Sequence, residues 1–239
     1  MTKPFEHWTV LPHGKLSQVD DNLLTVTGNL KMPLTDLPRR MTIVRLNDGR
    51  LVVYSAIALD DDEMAALESY GRPMFLVVPS ALHRLDAKIW KDRYPWMQVV
   101  APAGARAKIA EAVDVDTDQP RFEDPNVDFK TIAGSQDREA ALVVRTPTGT
   151  TLVLNDIVGN IHDEHGLGGW LLRLAGFAGD EAQIPRVVKM KLVEDEKALR
   201  AQLLGWSEIP TLNRILVSHG APIEGDPRGV LRKLAGSLE

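Results

Sequence analysis

Between residues 41 and 57 two apolar blocks, Thr42-Ile43-Val44 and Leu51-Val52-Val53, flank Asn47-Asp48-Gly49. Short aliphatic and β-branched blocks around such a turn predict a β-hairpin. A hundred residues later the pattern returns. Ala141-Leu142-Val143-Val144 and Leu152-Val153-Leu154 flank a turn at Gly149. In a gapless match Val44/Val144, Arg45/Arg145, Gly49/Gly149, Val53/Val153 and Ile57/Ile157 coincide. Each hairpin is followed by helical sequence and a further apolar strand, 75–78 in one half and 214–217 in the other. The recurring order of hairpin, helix and strand marks an internal repeat.

The helices are bounded by residue chemistry. Asp60 and Glu63 predict a capping box, with Gly71 beyond the last turn. Leu82, Leu85, Ile89 and Trp90 recur at helical spacing up to Pro95. Residues 103–113 and 194–206 predict two more helices. The second carries Leu199, Leu203 and Trp206 on one face and acids at its start, where the helix dipole favours them. Asp226 before Pro227 opens a last helix. Hairpins that are each followed by helices fit two sheets packed face to face with helices outside. The expected unit is one domain, 1–239, with similar halves at about 20–110 and 127–239. Between them lies an acid-rich stretch (Glu111, Asp114, Asp116, Asp118, Glu123, Asp124, Asp128) punctuated by Pro120 and Pro125, which predicts a solvated connection.

Composition narrows the chemistry. The 239 residues include no cysteine and six histidines, so no disulfide, thiolate metal site or cysteine nucleophile can form. With 28 basic and 33 acidic side chains the net charge is −5, and the bases are scattered, which argues against nucleic acid as a partner. No segment has the roughly 20 apolar residues that span a bilayer, so no membrane partner is expected. The N-terminus lacks an apolar signal core, which predicts a cytoplasmic location.

Titratable residues gather at three strand ends, 77–86, 152–165 and 215–222, where layered α/β folds place ligands. A strand running into Asn155-Asp156, and a later strand running into Ser218-His219-Gly220, resemble the two late motifs of the metallo-β-lactamase-fold superfamily. The resemblance covers most of the chain. It implies an α/β fold, a four-layer αββα sandwich of two similar halves. It also implies a metal centre whose first motif, His-x-His-x-Asp-His, follows a strand. Here that segment is Pro79-Ser80-Ala81-Leu82-His83-Arg84-Leu85. Started at Pro79, its ligand positions hold Pro79, Ala81, His83 and Arg84; started at Ser80, they hold Ser80, Leu82, Arg84 and Leu85. The middle motif, a histidine after glycine, reads Gly134-Ser135. Asp156 and His219 remain, with His83 as the third candidate, so a two-metal centre is not expected.

Three readings follow. One metal ion (zinc, iron or manganese) on His83, Asp156 and His219 would make a hydrolase with a metal-activated water. Without metal, the degenerate centre becomes a small-molecule-binding or scaffold protein in which Arg84 pairs with Asp156, suited to an anionic ligand. The motif count favours this metal-free reading. In the third, His162 and His165 supply ligands across Asp163-Glu164. Ser80, Arg84, Ser135, His162 and His165 are the expected pocket residues around His83, Asp156 and His219. His7 and His13 precede the first firm strand and fall to structural roles. The apolar segment 166–177, with Trp170, is the candidate homodimer contact.

Overall fold

The repeated pattern becomes two sheets. The computed structural model describes residues 3–31, 36–162, 173, 176 and 178–238. The first sheet runs β1 (Ser17–Asp20), β2 (Leu23–Lys31), β3 (Asp36–Arg45), β4 (Arg50–Tyr54), β5 (Arg72–Val77) and β6 (Gln98–Val100) in that spatial order. The second is ordered β10 (Leu212–Gly220), β9 (Gly149–Asn160), β8 (Ala140–Thr146), β7 (Val127–Thr131). Strands β2 to β5 and β7 to β10 share one plan. Three antiparallel strands end in a hairpin, and a fourth strand lies parallel to the last.

Alternation along these strands sorts their side chains into three apolar layers. Val44, Val52, Tyr54 and Val77 of the first sheet meet Leu142, Val144, Val153 and Leu216 of the second. The alternate residues Ile43, Leu51, Val53 and Leu76 pack under α1 (Asp61–Tyr70), α2 (Ala87–Arg93) and α3 (Arg106–Ile109). Val143, Leu152, Leu154 and Ile215 pack under α4 (Arg186–Leu192), α5 (Glu196–Ser207) and α6 (Pro227–Gly236). The result is a four-layer αββα sandwich. Each fully buried aliphatic side chain in these layers contributes ~1.5–3 kcal/mol. Hydrogen bonds cross the middle layer, where Ala140 N donates to Pro79 O at 2.9 Å and the Tyr54 hydroxyl to Ala140 O at 2.7 Å.

The gapless repeat needs a correction of one residue. The first hairpin turns through Asn47, Asp48 and Gly49, with Leu46 N bonded to Arg50 O. The second turns through Pro147 and Thr148, with Thr146 paired to Gly149. Val44 therefore faces Val52, whereas Val144 faces Thr151. Val44/Val144 and Arg45/Arg145 are true equivalents, but Gly49/Gly149, Val53/Val153 and Ile57/Ile157 are not. Gly49, at φ +84°, supplies the left-handed residue that the longer turn requires.

Other expectations shift for local reasons. Asp60 caps α1 by accepting Glu63 N at 3.0 Å, but Glu63 does not close the box. Its carboxylate instead accepts Leu16 N at 2.7 Å, and Asp60 N bonds His13 Nε2 at 3.0 Å. The helix expected from Leu82 begins only at α2, because Ser80 bonds the amides of Leu82 and His83 into a turn. The helix expected over 103–113 is a 3₁₀ turn followed by the short α3. The acidic connection is stapled rather than free: Asp116 accepts Val99 N and Asp124 accepts Asn47 N, both at 2.7 Å. His165, Trp170 and most of the segment 166–177 lie outside the described residues. Among the described residues no helix is long and apolar enough to cross a membrane.

Candidate metal centre

Three chain segments deliver three side chains to one point. Strand β9 pairs with β10 up to Leu154↔Val217 and resumes at Gly159↔His219. Asn155 to Val158 thus bulge opposite the single residue Ser218, and such a bulge re-aims side chains. It presents Asp156, which is buried. His219 stands at the end of β10 before Gly220, whose φ is +108°. A Cβ at Gly220 would lie 2.0 Å from Asn160 O, so only glycine fits there. Arg40 of β3 fixes this strand end, donating from Nε to Val217 O at 3.1 Å and from Nη2 to Gly220 O at 2.9 Å. His83 comes from the turn after β5.

The three ligand-type atoms form a near-equilateral triangle. His219 Nε2 is 3.1 Å from Asp156 Oδ1, His83 Nε2 is 3.2 Å from the same oxygen, and the two nitrogens are 3.2 Å apart. A tetrahedral ion bound at ~2.0–2.1 Å spaces its ligand atoms ~3.3–3.4 Å apart, so the triangle has the size of one face of such a site. Each imidazole is oriented from behind. His219 Nδ1–H donates to Pro38 O at 2.6 Å, and His83 Nδ1 is 2.8 Å from Ser55 Oγ. An imidazole whose Nδ1–H donates to a carbonyl presents Nε2 as the nitrogen that can ligate a metal. These residues therefore fit one metal ion in both chemistry and spacing.

The three side chains shift one another's titration. Burial by itself would raise the Asp156 carboxyl. The charge of His83 and hydrogen bonds from both imidazoles outweigh it and hold Asp156 below the usual carboxylate range. Burial would lower His219, but the Asp156 hydrogen bond and charge, with the Pro38 carbonyl, raise it instead. The second oxygen of Asp156 accepts from Asn155 Nδ2 at 3.0 Å and from Ser80 Oγ at 3.3 Å. Glu139, fully buried, accepts Ile157 N at 2.8 Å at the base of the bulge. Burial, reinforced by the Asp156 charge, pushes its carboxyl well above the ordinary value, so it stays protonated.

No family model and no curated protein sequence matches this chain. Solved structures do match. The metallo-β-lactamase FIM-1 from Pseudomonas aeruginosa in its mono-zinc form is 11% identical with a TM-score of 0.61, over 95% of this chain and 96% of that one. The metallo-β-lactamase DIM-1 exposed to ceftazidime is 12% identical with a TM-score of 0.63, over 96% and 99%. A second DIM-1 structure, 12% identical, scores 0.62 over 94% and 99%. This chain has the metallo-β-lactamase fold.

On that metallo-β-lactamase fold the other expected pocket residues take separate places. Ser80 sits behind Asp156, as described. The expected Arg84–Asp156 pair does not form, because Arg84 Nη1 bonds Lys108 O and Glu111 Oε2. The turn that carries His83 inward sends its neighbour the other way. Ser135 is buried, and its hydroxyl donates to Ile132 O at 2.6 Å, closing its own turn. His162 is exposed, with Nδ1 3.2 Å from Gly179 O, and does not join the triangle. Among the described residues the one group of three or more metal-ligand side chains is His83, Asp156 and His219. A cavity of about 240 Å³ opens on them. A second, of about 360 Å³ and largely apolar, reaches Asp156 from the side of Ser80 and Glu139. Arg39, which lines the first cavity, gave no sequence signal, since Pro38-Arg39-Arg40 looks like ordinary strand.

Proposed function

We propose that the chain is a hydrolase of a small molecule that depends on one metal ion, with His83, Asp156 and His219 as ligands. The triangle of Nε2, Nε2 and Oδ1 atoms carries this reading. Three lone-pair atoms about 3 Å apart repel unless a cation lies among them, and two imidazoles with one carboxylate are a known catalytic ligand set. When bound, such an ion supplies Lewis acidity and lowers the pKa of a bound water toward neutrality. The residues of the chain do the rest. Ser55 and the Pro38 carbonyl orient the imidazoles, while Ser80 and Asn155 hold Asp156 Oδ2 and so aim Oδ1. Neutral Glu139 anchors the bulge without adding a second negative charge beside Asp156. The two cavities give a substrate room on either side of the ligands.

Metal analysis of protein purified without chelator, followed by zinc, iron and manganese titration, tests the proposal. Near-stoichiometric metal, and metal-dependent turnover across a panel of esters and amides, are expected. Absence of bound metal together with absence of uptake would sink it. The metal-free alternative is favoured by one observation, the raised His219, which lets a proton rather than a metal bridge Asp156. It predicts histidine ring NMR signals that zinc leaves unmoved.

A further inference from the structure

The outer edge of the second sheet is bare. β7 ends that sheet beyond β8. Arg145 N bonds Asn126 O and Ile132 N bonds Glu139 O, both at 2.8 Å. In an antiparallel pair such bonds fall on alternate residues. The even-numbered residues of β7 therefore bond β8, and the odd-numbered ones turn their N–H and C=O groups outward. This outward row is closed at both ends. Val127 N donates to Asp124 O at 3.3 Å. At the other end the Gln202 amide of α5 takes the place of a neighbouring strand, donating to Thr131 O at 2.8 Å and accepting Ala133 N at 2.9 Å. Between these stops Val127 O, Phe129 N, Phe129 O and Thr131 N have no hydrogen-bond partner among the described residues. The other three sheet edges are protected. Thr117 bridges Val100 outside β6, Ile223 bridges Ile215 outside β10, and β1 is four residues long and bulged.

We propose that the β7 edge docks an extended, basic segment of a partner protein, which joins the sheet as a fifth strand. A free row of backbone donors and acceptors is a template for such addition. There is room for it, because β7 lines a cavity of about 530 Å³ whose other walls include Pro120 and Phe122. Charge selects the occupant. Five carboxylates line the cavity, Asp118, Glu123, Asp124, Asp128 and Asp137, against the single base Lys130. Arg145 answers Asp128 at 2.9 Å and Arg50 approaches Glu123 at 3.6 Å. Asp118 and Asp137 face no cation among the described residues. A second copy of this chain, pairing edge to edge, would set one acidic row against another, so a basic partner fits instead. Strand alternation sets its pattern. Phe129 packs toward the layer between the sheets, so the residue opposite it is apolar, and the neighbours of that residue, on the face of Asp128, are basic. The edge shares no residue with the triad, so the inference stands apart from the metal reading.

Acetyl-Lys-Val-Lys-Val-Lys-Val-amide is titrated into the full chain, with binding followed by amide NMR shifts. One control peptide is N-methylated at its valines, which keeps the charge and removes the N–H groups that would face β7. The other has glutamate in place of lysine. Thr131→Pro removes one outward N–H and leaves the pairing with β8 in place. Shifts centred on Phe129 and Thr131 are expected, with binding at least about ten-fold weaker for each control peptide and for T131P. Asp118→Asn combined with Asp137→Asn should weaken binding roughly three-fold and flatten its dependence on salt. No binding of the lysine peptide to wild type, shifts away from β7, or equal binding of the N-methylated peptide would each overturn the proposal. A dimer seen by sedimentation and lost in T131P would overturn it in favour of a second copy. If T131P fails to fold, the N-methylated peptide decides, since it tests the same bonds on the unaltered protein.

Discussion

The two halves place different residues at equivalent positions around Asp156. Tyr54 pairs with Val77 in the first sheet and Val153 with Leu216 in the second, so Ser80 and His219 occupy matching places three residues beyond these pairs. Both reach Asp156. Ser80 Oγ donates to Oδ2 at 3.3 Å, and His219 Nε2 lies 3.1 Å from Oδ1. Val44 and Val144 are likewise equivalent, which matches Arg39 with Glu139. Each is buried with polar atoms unpartnered, yet Arg39 pairs with Asp86 whereas burial and the Asp156 charge raise the Glu139 carboxyl. The hairpin strands also end differently. β4 stops at Tyr54 before Ser55, at φ +55°, whereas β9 bulges and runs on to Asn160. The two halves therefore form two matching sockets. The second half offers Asp156 from a bulge within β9 and His219 from the end of β10, and the first supplies the Ser55 and Ser80 hydroxyls and His83 on a turn.

Substitutions at equivalent positions can break that comparison. Asp156→Ala should abolish stoichiometric zinc uptake, because it removes the oxygen shared by both imidazoles. Ser80→Ala should leave stoichiometry intact and weaken affinity ~10-fold or more, as for groups behind a ligand; equilibrium dialysis of the two variants decides. Gly220→Ala should lower unfolding free energy by ~3 kcal/mol or more, through its positive φ and the collision with Asn160 O. Its first-half counterpart is already Ala81, so chemical denaturation of Gly220→Ala against Ala81→Gly reads the asymmetry directly.

The contrast between Arg39 and Glu139 is sharpened by pH. The Glu139 carboxyl is raised on folding by burial and by the Asp156 charge. Its contribution is full below the unfolded value of ~4.3, and declines as pH rises toward the folded one. Glu139→Gln removes that loss, so its stability relative to wild type should improve between pH 5 and pH 8. Parallel denaturation curves for the two proteins at both pH values would contradict a buried neutral acid. The smallest effect is expected at the helix caps. Asp60→Ala and Asp195→Ala remove the matching caps of α1 and α5, and each should cost ~1 kcal/mol in thermal or denaturant unfolding.

Much of the fold was legible because hydrophobic period and turn chemistry are local. The hairpins, the caps at Asp60 and Asp226, and the recurrence of one plan all lie in short windows. The one-residue slip between the halves was hidden, since a gapless match cannot register that one turn is longer. Among site residues, Asp156 and His219 stood out because each follows closely on a short apolar block, Leu152-Val153-Leu154 and Ile215-Leu216-Val217. His83 was ambiguous against Arg84, since the first motif can be started at Pro79 or at Ser80, and only the turn held by Ser80 decides which side chain faces inward. Arg39 and Glu139 left no mark, because a charged residue on a strand looks solvent-facing until the strand's neighbours are known.

The sequence by itself determined two αβ units of one plan, a chain without thiolate ligands, and the three segments after apolar strands where metal chemistry could sit. Only the tertiary structure decided which side chains share a point. Asp156 is aimed by a bulge against β10, His219 by Arg40 and the Pro38 carbonyl from the other sheet, and His83 by a turn that Ser80 holds. The physical reason is that patterning fixes which face of an element is buried. Convergence of single atoms within about 3 Å depends on pairing register and on contacts between residues more than 130 apart in the chain.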